Sequence, residues 1–299
     1  MSDDKLILAL PSKGRLMDKT IKLFADLGMT IKKNGHERRY HGIVEEFGNI
    51  EIAFLSASEI AQDLRSGRIH LGVTGEDLVR ENIADHYNRV TFIKPLGFGH
   101  ADVIVAVPEC WLDVTRVADL EEVAAQFQRT HGHRLRLATK YVNLTGRFFA
   151  RNGFFGYRIV GSLGVTEGAP ASGTADLIVD ITSTGETLAA NHLKILKDGI
   201  ILQSEANLVA SRVADWTSTA VELRGKIERL MENNKEEWTR FATGPTPNPA
   251  GKGHLPGPHP FSISSLASGV RHNNTALDNP AHEFFGDHVI ALIEGFNTV

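Results

Sequence analysis

The sequence predicts an α/β fold in two lobes, each built on a mixed but mostly parallel sheet. Between residues 5 and 230, short apolar segments alternate with segments whose apolar residues recur at helical spacing, which is the pattern of layered α/β proteins. The alternation breaks near residues 98–104 and again near 193–200. We therefore expect a second lobe, residues 101–195, inserted in a first lobe made of residues 1–100 and 196–231, with ligands bound in the cleft between them at the strand ends.

Composition narrows the classes of function. The chain has 299 residues, which is enough for two modest domains, and a formal charge of −4 without a long basic run. This charge argues against a nucleic-acid-binding surface. Cys110 is the single cysteine, which excludes an internal disulfide and a cysteine-based zinc site. No apolar run approaches the roughly 20 residues of a membrane span, and the acidic N-terminus lacks an apolar signal segment, so we expect a cytoplasmic protein without membrane contact.

The most informative stretch is residues 175–188. An apolar strand is predicted at 177–181, and a helix at 187–194. Between them lies a loop of small and hydroxyl-bearing residues, followed by the first helical residue: Ser183, Thr184, Gly185, Glu186 and Thr187. Unpaired N–H groups at a helix N-terminus bind phosphate, hydroxyls donate to it, and glycine permits close approach. Asp180, at the C-terminal end of the strand, is placed to face a ligand beside the phosphate.

Two simpler interpretations of this loop stay open. Ser183 and Glu186 have the spacing of a capping box, in which the two residues satisfy the first N–H groups of a helix. Alternatively, the loop is an ordinary turn between a strand and a helix. Other stretches are needed to favour phosphate binding.

Two further strand ends carry candidate residues. Lys13 and Arg15 follow a strand predicted at residues 5–10 and precede a helix at 16–27; they form either an anion site or a pair of solvated charges. Thr74 and Asp77 follow a strand at 69–74, where they either cap a helix or face a ligand.

Two histidines form a weaker candidate. His131 and His133 flank a glycine in a polar loop. A metal site there lacks a third ligand nearby.

The chain changes character near residue 232. Six of its eleven prolines fall within 16 residues, namely Pro245, Pro247, Pro249, Pro256, Pro258 and Pro260. Proline neither continues a helix nor donates to a sheet, so residues 232–299 are predicted to be a linker and a poorly ordered tail that binds no histidine. A helix at 221–231 is expected to end the folded body.

Several motifs taken together resemble the ATP phosphoribosyltransferase family, the first enzymes of histidine biosynthesis. The motifs occupy residues 8–16, 71–77, 138–141, 167–170 and 175–188, and their order and spacing carry the resemblance. It implies a two-lobed fold like that of the type II periplasmic binding proteins. It also implies the substrates ATP and phosphoribosyl pyrophosphate, with Mg²⁺ as cofactor.

The resemblance also implies roles for individual residues. The five residues Ser183, Thr184, Gly185, Glu186 and Thr187 would hold the ribose 5-phosphate. Glu167 and Asp180 would hold the ribose hydroxyls, and Lys13 and Arg15 would face the pyrophosphate or the nucleotide phosphates. The turn that contains Gly72, Thr74 and Asp77 would lie near the ligands. No residue is assigned to the metal.

The family has a long form with a histidine-binding C-terminal domain and a short form that works with a partner resembling histidyl-tRNA synthetase. The catalytic part of this chain looks like the short form, so we expect such a regulatory subunit and a dimeric or hetero-oligomeric assembly. The alternative function is a non-catalytic protein of the same shape that binds a small anion.

Overall fold

The first lobe is built on a seven-stranded mixed sheet. The structure is a computed structural model and describes residues 4–34, 41–162 and 165–233. In this sheet the strand order is β2-β3-β4-β1-β5-β12-β6. Its strands are β1 (Leu6–Pro11), β2 (Ile31–Asn34), β3 (His41–Val44), β4 (Phe47–Leu55), β5 (Leu71–Gly75), β6 (Val90–Pro95) and β12 (Ala206–Ser211).

The helices of this lobe follow the same chain segments. They are α1 (Gly14–Asp26), α2 (Ala57–Ser66), α3 (Glu76–Asn82), α4 (His86–Arg89) and α8 (Ser218–Asn233). Apolar residues of β1, β4, β5 and β12 pack against α1 and α8 on one face of the sheet. Others pack against α2 and α3 on the opposite face. Each βα loop is thereby held at the sheet edge where the parallel strands end.

The second lobe is built on a five-stranded mixed sheet with the order β11-β7-β10-β8-β9. Its strands are β7 (Ala101–Pro108), β8 (Leu135–Thr139), β9 (Tyr157–Val160), β10 (Leu177–Thr182) and β11 (Leu193–Ser204). Its helices are α5 (Leu120–His131), α6 (Val142–Arg151) and α7 (Glu186–Ala190), with 3₁₀ turns at Val117–Asp119 and Thr166–Gly168. The chain therefore enters this lobe between β6 and β7.

The return to the first lobe comes later than the expected boundary at residue 196. Strand β11 pairs with β7 from Leu193 to Ser204, and β12 then pairs with β5 and β6 of the first sheet. The crossing is thus at Glu205. An irregularity between Ile195 and Ile200 shifts the register of the β7–β11 pairing, but the pairing continues beyond it.

Two other expectations need correction. The sheets are mixed, but mostly parallel is wrong, because six of the ten strand pairings among the described residues are antiparallel. The antiparallel pairs come from the β2–β3–β4 meander, which was not predicted, and from strands that run between the lobes. The helix predicted at 187–194 ends at Ala190, because Leu193 begins β11.

The expected final helix lies inside α8, which ends at Asn233. The predicted linker and tail lie outside the described residues from position 234 onward. Within the described ranges, no helix is long and apolar enough to cross a membrane.

Candidate active site

The loop after β10 leaves its polar groups open to solvent. Ser183, Thr184 and Thr187 are exposed, and Gly185 is the N-cap of α7 with φ +77°, a conformation that favours glycine. Within the loop, the N–H of Gly185 donates to Thr182 Oγ1 at 3.0 Å and the N–H of Glu186 approaches Thr184 Oγ1 at 3.4 Å. A Cβ at Gly185 would meet no atom within 4 Å, so the space beside its backbone is open.

The capping-box interpretation of this loop is wrong. The helix begins at Glu186, and its N-cap residue is Gly185, which has no side chain. Ser183 therefore lies two residues too early to cap it. A true capping box forms instead at Ser56 and Glu59, which exchange hydrogen bonds of 3.3 and 2.8 Å at the start of α2.

Asp180 and Glu167 form a pair of carboxylates beside this loop. Asp180 is only 9% exposed, and its Oδ1 accepts the N–H of Ile181 at 2.9 Å. Burial, followed by the negative charge of Glu167, raises the pKa of Asp180, while the hydrogen bonds of Ile181 and Thr166 and the charge of Lys140 oppose the shift. A positive charge or hydroxyl donors arriving here would stabilise the ionised form.

The other carboxylate of this strand region is committed to the fold. Asp176 precedes β10 and accepts hydrogen bonds from the backbone N–H of Arg136 at 2.7 Å and from its Nη2 at 2.8 Å. Burial raises the pKa of Asp176, but these bonds outweigh it and hold the pKa below the usual value. Asp176 and Asp180, four residues apart, therefore have opposite electrostatic surroundings.

Lys13 and Arg15 lie at the end of β1 in the first lobe. Lys13 is the N-cap of α1 with φ −157°, Arg15 is in the first helical turn, and both side chains are exposed. No described carboxylate forms an ion pair with either cation. Two uncommitted cations thus stand at the C-terminal edge of this sheet.

The C-terminal part of β5 and the start of α3 differ, because their polar groups are used inside the protein. Gly72 is buried, and a Cβ there would lie 2.5 Å from Ile60 Cγ2, so this glycine permits close packing of β5 on α2. Thr74 is fully buried and donates to the carbonyl of Ala57 at 2.8 Å. It therefore neither caps α3, whose N-cap is Gly75, nor presents its hydroxyl to a ligand.

Asp77 joins the two lobes. Its Oδ2 accepts from the Tyr141 hydroxyl at 2.9 Å and its Oδ1 from the Ser204 hydroxyl at 2.7 Å, while its own N–H donates to Ser204 Oγ at 3.1 Å. Burial and the charge of Asp77 raise the pKa of Tyr141 far above its ordinary value. Tyr141 therefore stays a neutral hydrogen-bond donor.

A second interlobe contact escaped the sequence analysis. Glu81 of α3 is 7% exposed, and its two carboxylate oxygens accept the N–H groups of Asn143 and Leu144, both at 2.9 Å. These N–H groups belong to the first turn of α6 in the other lobe. No local sequence signal marks such a pair, because its partners are more than 60 residues apart.

The predicted histidine pair is part of an aromatic cluster. His131 stacks on Phe127 with ring centroids 4.1 Å apart, and His133 meets the same ring edge-on. Among the residues that the structure describes, no group of three histidine, cysteine, aspartate or glutamate side chains is arranged to hold a metal ion.

Comparison with known proteins gives the family. A family model described as ATP phosphoribosyltransferase matches residues 56–235. An ATP phosphoribosyltransferase from Rhodopseudomonas palustris is 54% identical over 242 residues, 79% of this chain and 74% of the relative. One from Mesorhizobium japonicum is 56% identical over 226 residues, 75% of this chain and 97% of the relative. One from Afipia carboxidovorans is 58% identical over 216 residues, 72% of this chain and 66% of the relative.

A solved structure supports the fold. The ATP phosphoribosyl transferase (HisG:HisZ) complex from Thermotoga maritima superimposes with a TM-score of 0.58 over 80% of this chain and 99% of that chain, at 23% identity. The α/β, two-sheet, periplasmic-binding-protein-like architecture is thereby confirmed.

Fold and sequence together define a glycosyltransferase of the pentosyltransferase class, built as two lobes with candidate phosphate-binding loops at strand ends. The chain belongs to the ATP phosphoribosyltransferase family, the enzymes of the first step of histidine biosynthesis. The expectation of an enzyme of this family is confirmed.

Proposed function

We propose that this chain transfers the 5-phosphoribosyl group from phosphoribosyl pyrophosphate to N1 of ATP, with release of pyrophosphate, in the cleft between the lobes. The observation that carries the proposal is the exposed loop of residues 183–187, next to the Asp180–Glu167 pair. Its groups match the phosphate and the ribose of one substrate.

The phosphate end of the substrate fits the β10–α7 loop. The hydroxyls of Ser183, Thr184 and Thr187 are exposed and are able to donate to phosphate oxygens, and the open side of Gly185 permits contact with backbone N–H groups. Glu186 follows in the first turn of α7. The ribose would then extend from this loop toward Asp180.

The carboxylates fit the ribose. Glu167 and Asp180 would accept hydrogen bonds from its hydroxyls, and each bond to Asp180 would stabilise its ionised form against the burial and the charge of Glu167 that raise the pKa of Asp180. Displacement at C1 passes through a state with oxocarbenium character, as in glycoside cleavage. Negative charge beside the ribose stabilises the positive charge that develops there.

Lys13 and Arg15 would neutralise the departing pyrophosphate from the opposite lobe. Magnesium, which prefers oxygen ligands, would supply further neutralisation of the pyrophosphate charge, and the hard oxygens of Glu167 and Asp180 are chemically suited to it. N1 of adenine carries its own lone pair, so the reaction requires no nucleophile from the protein. Positioning by the two lobes would provide much of the rate.

The assembly is also part of the proposal. The solved relative with the same fold is a HisG:HisZ complex, and we propose that this chain likewise works with a regulatory subunit resembling histidyl-tRNA synthetase, in a dimer or hetero-oligomer. We also propose that the chain acts in the cytoplasm.

Pyrophosphate release tests the proposal. With ATP, phosphoribosyl pyrophosphate and Mg²⁺ we expect turnover, and Arg15→Ala should lower kcat/KM by about 100-fold. Arg15→Lys should restore only part of it, since lysine lacks the planar bidentate geometry. Arg68→Ala is the matched control, because Arg68 is exposed, pairs with Asp63 and lies before β5, at the opposite edge of the sheet.

Two results would contradict these assignments. Near-normal kcat/KM in Arg15→Ala removes Arg15 from the site. Ligand binding without pyrophosphate release, with and without the regulatory subunit, would favour the non-catalytic anion-binding protein instead.

A further inference from the structure

The N-terminus of α6 is capped by a residue of the other lobe. Its own N-cap residue, Tyr141, provides no side-chain cap. The carboxylate of Glu81 instead accepts the N–H groups of Asn143 and Leu144, the second and third residues of the helix, which are the positions that a capping side chain ordinarily satisfies. A negative charge here is also favoured by the helix dipole.

Two further bonds join the same pair of helices. The amide of Asn143 donates to the carbonyl of Glu81 at 2.9 Å, and Arg147, one turn later, donates to the carbonyl of Arg80 at 2.6 Å. With the Asp77–Tyr141 bond, α3 of the first lobe and α6 of the second are linked along their length. These bonds constrain the two lobes in one relative orientation at this contact.

The capped helix end leads directly to the proposed ribose site. Tyr141 closes a short turn in which its N–H donates to Thr139 Oγ1 at 2.8 Å. Thr139 pairs with Val179, the residue before Asp180, in the parallel β8–β10 ladder, so the turn at Lys140 begins beside Asp180. The α6 end, the Lys140 turn and the Asp180 carboxylate are therefore neighbours.

We propose that Glu81 is a positioning residue for the transferase reaction. By capping α6 from the other lobe, it fixes the 139–141 turn against Asp180 and sets the orientation of the ribose carboxylates relative to the first lobe, which carries Lys13 and Arg15. The inference rests on the proposed function of those residues. In this role Glu81 would act through α6 and not by contact with substrate, since both of its carboxylate oxygens are occupied by backbone N–H groups.

The test uses the full chain and Glu81→Gln, which preserves size. The glutamine oxygen is able to accept one N–H, but its NH₂ group faces the other donor, so one of the two bonds is lost. We expect faster hydrogen exchange of the Asn143 and Leu144 amides. We also expect kcat to fall about 10–100-fold, as for misplaced reacting groups, while the Kd of phosphoribosyl pyrophosphate changes less than about threefold.

Asp119 provides a matched control. Its Oδ2 accepts the N–H groups of Thr115 and Arg116, both at 2.8 Å, so one carboxylate again binds two consecutive backbone N–H groups, here in the turn before a 3₁₀ segment and within one lobe. Asp119→Asn should lower the unfolding midpoint without changing kcat. Asn143→Ala is a second, milder variant: Asn143 is exposed, and only its bond to the Glu81 carbonyl is removed, so a smaller fall in kcat is expected in a protein that folds.

The outcomes separate the inference from the function on which it rests. Faster amide exchange with unchanged kcat in Glu81→Gln, or an equal fall in kcat in Asp119→Asn, overturns the positioning role and leaves the transferase assignment intact. Absence of pyrophosphate release from the unmodified chain, with or without the regulatory subunit, overturns the proposed reaction and the positioning role together.

Discussion

The β5–α3 and β10–α7 junctions look alike in sequence and differ in use. Each joins a buried strand to a short helix and contains threonine, glycine and an acidic residue. At the β5–α3 junction, the hydroxyl of Thr74 and the carboxylate of Asp77 are bonded within the protein. At the β10–α7 junction, the hydroxyls of Ser183, Thr184 and Thr187 are exposed. The first junction therefore holds the lobes together, and the second is available to a ligand.

The largest change in the free energy of unfolding is expected for a substitution at the β5–α3 junction. Asp77→Ala leaves the Tyr141 and Ser204 hydroxyls without their acceptor, and the free energy of unfolding should fall by about 3 kcal/mol, from two bonds to a charged group. Affinity for phosphoribosyl pyrophosphate should stay within about threefold of the original. Urea unfolding and calorimetric titration measure the two quantities. If Asp77→Ala keeps its stability but binds phosphoribosyl pyrophosphate weakly, Asp77 contacts the ligand instead of joining the lobes.

Thr184→Ala should have the reverse profile. Among the described residues, its hydroxyl contacts only the N–H of Glu186, at 3.4 Å, so the free energy of unfolding should change by less than about 0.5 kcal/mol. Binding of phosphoribosyl pyrophosphate should weaken by about 1.5–3 kcal/mol, the value of a hydrogen bond to a charged oxygen.

Two companion variants sharpen the Thr184 result. Gly185→Val, which places a branched side chain at φ +77°, should weaken binding further. Thr174 lies just before the N-terminal end of β10, away from the loop, so Thr174→Ala should leave the binding of phosphoribosyl pyrophosphate unchanged. Full affinity in both Thr184→Ala and Gly185→Val would mean that the loop is an ordinary turn.

The smallest free-energy effect in this series is the change in the free energy of unfolding that is expected for Asp180→Asn. Its sign is informative, because this substitution should stabilise the protein. Burial and Glu167 raise the pKa of Asp180, so ionisation costs folding free energy as the pH rises through that pKa. Asp180→Asn should therefore stabilise the protein by about 0.5–2 kcal/mol at neutral pH, with no gain in acid. Transferase activity should nevertheless fall.

Asp176→Asn is the opposite case. The bonds from Arg136 lower the pKa of Asp176, so its stabilising contribution is present above the unfolded-state pKa and is lost as the pH falls through the lowered value. This variant should be less stable at neutral pH. Unfolding curves at several pH values compare the two, and equal signs would refute the electrostatic difference between the two ends of β10.

Local sequence patterns predicted most of the strands and helices, because the apolar periodicity of each one is visible within a few neighbouring residues. The β2–β3 hairpin was missed, since a segment such as Ile31–Asn34 is short and rich in lysine. The spacing of serine and glutamate was misleading as well. It forms a capping box at Ser56 and none at Ser183, because the backbone at Gly185, and not the spacing, decides where α7 begins.

The positions of the candidate site residues were predictable only in part, and their roles stay predictions. The loop after β10 and the cations after β1 stand out because strand, small-residue loop and helix are adjacent in sequence. The hydrogen bonds by which Asp77 joins the lobes were not predictable, since its partners Tyr141 and Ser204 are 64 and 127 residues away in the sequence. Contacts of that kind depend on how two lobes meet, which the order of residues within either lobe does not reveal.

The position of β12 has a consequence for synthesis of the protein on the ribosome. This wholly buried strand lies between β5 and β6, yet it emerges roughly 110 residues after β6, on the order of ten seconds later at ordinary translation rates. Until then the first sheet lacks the strand that pairs with both β5 and β6. All five strands of the second lobe emerge during this interval, and the last of them, β11, ends directly before β12 begins. The two lobes are therefore completed almost together, and β5 stays without its β12 partner throughout synthesis of the second lobe.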